Sequence, residues 1–208
     1  MSTAAAEIKK GRKFDQVLEG ARMIFMRDGF EGASVDDIAR AAGVSKATLY
    51  SYFPDKRLLF LEVARMECNR QAEEALAVMD TAAPPEVFLR EAGGRILTFF
   101  LSDFGQQMYR ICVAESARFP ELGCRFYDSG PALLRDRLTT YLSKAEARGE
   151  LRIPDMDLAA NQFAELCKSD LFVRSICGVA GEITQTDIGR VVDGAVEMFL
   201  ARYGTGRG

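Results

Sequence analysis

The chain has 208 residues, 48 % of them hydrophobic and 27 % charged, with a formal net charge of −3. That balance suits a globular protein with one large or two modest cores, and no run approaches the roughly 18 consecutive apolar residues that a membrane span needs. The amino terminus, Met1 to Glu7, lacks the hydrophobic stretch of a secretory signal, so a cytoplasmic protein with no membrane partner is expected.

The charge is unevenly placed. Residues 1–60 hold ten Lys or Arg against eight Asp or Glu, and the remainder holds 17 against 22. Lys9, Lys10, Arg12 and Lys13 form a basic cluster that an arm could lay along phosphates, or that could be a solvated tail. Phe14, Val17, Leu18, Ala21 and Phe25 then recur at helical spacing. Gly29 is placed to end this helix, with Phe30 making the apolar contact that accompanies a glycine cap.

Ser34 precedes a second apolar-periodic run and has Asp37 three residues on, the spacing of a capping box, which predicts a helix from about Val35. Ile38 and Ala42 share a face, and Gly43 can take the left-handed conformation that closes the helix. After this turn Ser45 can cap a third helix. In it Leu49 and Phe53 point inward, while Pro54 prevents continuation. Lys46, Ala47, Thr48, Tyr50, Ser51 and Tyr52 are left outward. A short helix with a small residue and several hydroxyls can enter a major groove and donate to phosphates and base edges. Phe14, Leu18, Phe25, Ile38, Val44, Leu49 and Phe53 are the expected core of these three helices.

A fourth helix is expected from about Lys56 towards Asp80. Lys56 in its first turn is placed to meet a phosphate, since a cation at a helix start is otherwise disfavoured. Beyond Pro84 and Pro85, helical patterns run from Glu86 to Ser102, Gly105 to Arg118, Pro131 to Arg148, Asp157 to Cys177 and Asp187 to Tyr203. Gly93 and Gly94 sit inside the first of these at a cost of about 1 kcal/mol each, which predicts a packing or bending reason. No strand-like alternation and no internal repeat occurs. The expected fold is all-α, with a helix-turn-helix domain over residues 1–55 followed by a larger helical domain over 56–208.

Residues from about Phe14 to Ala64 resemble the DNA-binding domain of the tetracycline-repressor (TetR-type) family of bacterial transcription regulators. The resemblance rests on Gly-Phe-Glu-Gly-Ala-Ser-Val-Asp-Asp-Ile-Ala at 29–39 and Gly-Val-Ser-Lys-Ala-Thr-Leu-Tyr-Ser-Tyr-Phe-Pro-Asp-Lys at 43–56. It implies a double-stranded DNA operator, palindromic because a two-fold protein reads two half-sites. It also implies that Ser45, Lys46, Ala47, Thr48, Tyr50, Ser51 and Tyr52 face the DNA, with Ser34 and Lys56 on phosphates. Ala47 occupies a position where the family often has glycine. The family further implies a regulatory domain that binds a small-molecule effector, and a homodimer joined through the two C-terminal long helices. The Phe-Pro-Glu-Leu segment at 119–122 and Gly-Pro-Ala-Leu-Leu at 130–134 resemble one common subgroup of these repressors, several of which control efflux pumps. One point from the residues themselves favours the dimer: the last helix cannot bury Ile188, Val192, Ala195 and Phe199 on one neighbour without leaving Val191, Val196 and Leu200 for another.

Phe100, Phe104, Met108, Ile111, Cys112, Glu115, Phe126, Tyr127 and Phe163 are the candidate effector residues, an aromatic and soft set suited to a hydrophobic or aromatic small molecule. Any one of them is also a natural core residue. Glu115, on one stripe with Met108 and Cys112, could meet a cationic ligand or pair with Arg95 or Arg110.

Enzymatic function is not expected. Histidine is absent, which removes the usual general base and the commonest metal ligand. The five cysteines, Cys68, Cys112, Cys124, Cys167 and Cys177, include no Cys-x-x-Cys pair, and no glycine-rich phosphate loop occurs, so no cofactor and no metal is expected. The alternative regulatory reading is a thiol-based redox sensor using Cys112 or Cys124.

Overall fold

The computed structural model describes residues 11–117 and 120–206. Among the described residues there are eleven α-helices and one π-helical turn, and the only β feature is an isolated bridge between Leu151 and Gly204. No helix among them is long and apolar enough to cross a membrane. The chain divides into two compact units, one up to Glu67 and one from Cys68 onward.

The first unit contains α1 (Arg12–Gly32), α2 (Val35–Ala41), α3 (Lys46–Tyr52) and the beginning of α4 (Lys56–Val78). The regular part of α1 stops at Gly29, whose φ of 69° lies in the left-handed region, and Phe30 folds back so that its ring stacks 6.1 Å from Phe25. Phe14, Val17, Leu18, Ile24, Phe25, Ile38, Leu49 and Phe53 are all buried. Phe14 stacks on Phe53 at 5.4 Å, and Phe60 meets Phe25 edge-on at 5.0 Å. Val44, expected in this core, is only half-buried. Leu59, Phe60, Val63 and Ala64 complete the core from α4, so the compact unit extends into that helix beyond the 55/56 boundary read from the sequence. Glu67 is 1 % exposed and accepts from Arg22 Nε at 3.2 Å, which ties α4 to α1. Lys9 and Lys10 lie outside the described residues; Arg12 and Lys13 are exposed.

The second unit comprises the rest of α4, then α5 (Pro85–Leu101), α6 (Asp103–Glu115), α7 (Pro120–Tyr127), a π-helical turn (Asp128–Ala132), α8 (Leu133–Ala147), α9 (Met156–Cys167), α10 (Leu171–Ile176) and α11 (Gln185–Tyr203). Helix α11 packs on α5 and α9, α8 packs on α9, and α6 lies between α5 and α7. The core runs through Phe88, Leu97, Leu142, Ala160, Phe163, Val192, Val196 and Phe199. Phe88 and Tyr141 stack face to face, and Tyr141 Oη donates to Ala83 O at 2.7 Å. Gly93 has the packing reason expected of it: a Cβ there would lie 3.0 Å from Val192 Cγ1 and 3.1 Å from Cys167 Sγ, whereas Gly94 faces open space.

Three expectations are corrected. The pattern from Asp157 to Cys177 is two helices, α9 and α10, broken before Asp170. Asp170 has φ of 65°, and its carboxylate lies 3.1 Å from Arg190 and 3.6 Å from Arg174. Apolar periodicity continues through the break because Leu171 and Phe172 are buried on the far side of it, so the pattern alone does not reveal it. The helix expected to start at Pro131 starts at Leu133, after a π-helical turn that contains Pro131; proline has no amide to give to a regular α-turn. Finally, Val191 and Val196 are 8 % and 1 % exposed. Helix α11 buries Val191 and Val196 within this chain and leaves Ile188 and Leu200 partly buried, because α5 and α9 flank it on two sides, and so the sequence argument that Val191 and Val196 wait for a second chain fails.

Candidate nucleic-acid interface and effector site

The starts of α2 and α3 are both set by serine hydroxyls. Ser34 Oγ accepts from the Asp37 amide at 3.0 Å and donates to Asp37 Oδ2 at 2.6 Å. That hydrogen bond, followed by the one from Arg40, holds the Asp37 carboxyl below its ordinary value. Ser45 Oγ accepts from the Thr48 amide at 3.1 Å and lies 2.9 Å from Thr48 Oγ1. Each such cap is worth about 1 kcal/mol. Between them the chain reverses at Gly43, φ 64°.

Helix α3 is anchored by Leu49, 1 % exposed, and by Phe53 directly after its end. This orientation leaves Ser45, Lys46, Ala47, Tyr50 and Ser51 exposed, with Thr48 and Tyr52 half-buried. Tyr50 is 48 % exposed. Tyr52 turns partly inward, its ring edge-on to Phe14 at 5.7 Å. Lys46 Nζ lies 2.6 Å from Asp36 Oδ1 in an exposed pair across the turn. Such pairs contribute little and exchange readily for another anion. Ser51 Oγ donates to Thr48 O at 2.6 Å.

Lys56 is placed differently from the expectation. Its Nζ donates to Phe30 O at 2.7 Å and Ala33 O at 3.0 Å and sits 4.3 Å from the centroid of the Phe30 ring. Its ammonium closes the carbonyl end of α1 from inside the unit, which also accounts for a cation at the start of α4: the α1 carbonyls outweigh the unfavourable helix-start position.

The candidate effector residues fall into separate groups. Phe163 is fully buried against Phe199 at 5.4 Å and belongs to the core. Phe100 meets Phe172 edge-on at 5.1 Å, Tyr109 meets the same ring at 5.0 Å, and Lys168 Nζ sits 4.9 Å from the Phe100 centroid. Lys168 and Phe172 are not evident from the sequence, because they reach Phe100 only across the α9–α10 break. Met108, Ile111 and Cys112 are buried on one face of α6. Phe104, Glu115 and Phe126 are half-buried, and Tyr127 is 50 % exposed. Of the two arginines offered to Glu115, Arg95 bonds Glu91 at 2.8 Å and Arg110 bonds Ile176 O at 3.0 Å.

The thiols differ sharply. Burial, with a further contribution from Cys68, pushes Cys112 up to about 12, and burial pushes Cys167 up to about 12. A thiol so protonated is a poor nucleophile, which weighs against Cys112 as an oxidant sensor. Cys124 and Cys177 are exposed.

An outward helix set on a serine-capped turn, in a small helical unit followed by a larger all-helical one, defines the class of helix-turn-helix regulators. Within that class the chain belongs to the tetR family of bacterial regulatory proteins. The family's amino-terminal model matches residues 17–63, and the model described as the AefR-like transcriptional repressor C-terminal domain matches residues 88–205. The solved structure of the flavonoid-responsive regulator FrrA is 36 % identical, covers 95 % of this chain and 100 % of its own, and superposes with a TM-score of 0.70. A TetR-family transcriptional regulator from Mesorhizobium loti MAFF303099 is 26 % identical, covers 93 % of this chain and 98 % of its own, and gives a TM-score of 0.79. The transcriptional repressor AcnR of Corynebacterium glutamicum is 41 % identical over 73 residues. That match spans 35 % of this chain and only 38 % of AcnR.

Proposed function

We propose that this protein is a DNA-binding transcriptional repressor whose operator affinity falls when an aromatic small molecule binds its second unit. The observation that carries the DNA reading is the α3 face: Leu49 is buried while its neighbour Tyr50 stands exposed beside Lys46, Ala47 and Ser51. In a homodimer two such helices, about 34–36 Å apart, would enter successive major grooves. Base contacts from Tyr50 and Thr48 would then specify the site, while Lys46 and Ser45 would meet phosphates.

The dimer reading is supported by α9 and α11. Leu158 and Met198 are 50 % and 61 % exposed, and they line a groove of about 570 Å³ with Gln162, Leu166 and Arg202. The effector reading draws on the aromatic set around Phe172 and on FrrA, a relative along nearly the whole chain that is named for its response to flavonoids. Helix α4 contributes residues to both units and is the element through which occupancy of the second would alter the spacing of the reading helices. A coupling of about 1–3 kcal/mol is typical of such switches.

The test begins by selecting duplexes from a random pool with the purified full chain and measuring affinity by anisotropy. Tyr50→Ala is expected to weaken the selected duplex about tenfold or more, the worth of a good base contact. Unchanged affinity with an intact fold would sink the DNA reading. Met198→Glu should convert a sedimenting dimer to monomer, and a flavone titrated calorimetrically should bind the wild type and not Tyr109→Ala.

A further inference from the structure

Met108 and Cys112 lie one helical turn apart on α6 and are each 3 % exposed. Cys68 of α4 faces them, its Sγ 3.9 Å from Met108 Sδ. Two sulfur atoms in contact, with a third one turn along the same buried face of α6, therefore lie together within the second unit. The sequence hides this cluster, because Cys68 is 40 residues from Met108 and no Cys-x-x-Cys spacing announces it.

The chemistry of the donor set selects its ligand. Metal–sulfur bonds of about 2.3 Å hold ligand sulfurs about 3.8–4.0 Å apart in tetrahedral or trigonal arrangements. The observed Cys68–Met108 separation is already of that size. Among the described residues no group of three His, Cys, Asp or Glu could hold a metal, so the three or four such donors of a zinc site are not assembled among them. Two thiolates and a thioether suit a soft ion. We propose that Cys68, Met108 and Cys112 form a three-sulfur site for a soft monovalent cation of the Cu(I) type. Binding releases the two thiol protons to solvent and transfers no electron. The two thiolates and the cation together carry one negative charge. Burial opposes two bare thiolates more than a metal-bound pair with a single net charge, and a coordinating thiol is deprotonated by the ion itself.

The test uses the reduced full chain under anaerobic conditions, with Cu(I) supplied as its acetonitrile complex and bicinchoninate as competitor. One Cu(I) per chain is expected, with Cys68→Ser and Cys112→Ser each weakening retention about tenfold or more and Met108→Leu weakening it less. The Cys124→Ser/Cys177→Ser double variant should match the wild type. Equal retention in a Cys68→Ser/Cys112→Ser double variant, or loss in the Cys124→Ser/Cys177→Ser variant, overturns the site. Because Cys112 is buried, a wild-type measurement stands beside the variants. One equivalent of Ag(I) should protect Cys68 from iodoacetamide while leaving Cys124 and Cys177 reactive, and unaltered Cys68 labelling overturns the site as well. Neither measurement involves DNA, so the result stands apart from the operator reading.

Discussion

Two helix glycines, Gly20 in the first unit and Gly93 in the second, each stand against a neighbouring element, and they differ in what lies opposite. A Cβ on Gly20 of α1 would come within 2.5 Å of the Ala42 amide nitrogen and 2.7 Å of its Cα. The obstacle is backbone, at the point where α2 leads into the turn before α3. A Cβ on Gly93 of α5 would meet only side-chain atoms, Val192 Cγ1, Cys167 Sγ and, at 3.5 Å, Phe163 Cζ. The turn that presents α3 is thus held by main-chain contact with little room to adjust, while α5, α9 and α11 meet through side chains that can repack.

The largest expected effect breaks the rigid contact. Gly20→Ala should lower stability by about 3 kcal/mol, the upper end for overpacking, because backbone cannot yield as a side chain does; urea denaturation checks it, and a change below 1 kcal/mol would remove the contrast. Next, Arg22→Met should cost about 2 kcal/mol in the same assay, less than a fully buried pair, since it removes one partner of the buried Glu67 carboxylate and Arg22 itself is one third exposed. Gly93→Ala should change stability by less than about 1 kcal/mol, as the gain in helix propensity offsets small shifts of Val192 and Cys167. The smallest effect concerns the start of α11. The Thr184 hydroxyl, with its amide, holds Asp187 below its usual 3.8. That contribution is complete above the ordinary carboxylate value and is lost as pH falls through the lowered folded-state value. Asp187→Asn should therefore flatten the acid-side decline of Tm, and an unaltered pH profile would show that the cap does not matter to folding.

The first unit was nearly all legible because its determinants are local. Ser34, Ser45 and Gly29 act within three or four residues of themselves, so spacing alone located α2, α3 and the end of α1. Lys56 was misread because its partners, Phe30 O and Ala33 O, lie 26 and 23 residues away. In the second unit, helix existence followed from periodicity, but the α9–α10 break did not. The candidate effector residues form one set by their chemistry, yet the fold separates Phe163, Phe100 and Met108 into a core, an aromatic cluster and a sulfur cluster.

The sequence by itself determined that the chain is all-helical, that a serine-capped turn presents α3 outward, and that the chain resembles a family of regulators, because caps, turns and apolar stripes are encoded over a few residues. Only the tertiary structure decided that Val191 and Val196 are buried within their own chain, that Lys168 meets Phe100, and that Cys68 faces Met108. Those are pairings between helices distant in sequence. They are fixed by which faces the whole set of helices can bury together, not by any spacing along the chain.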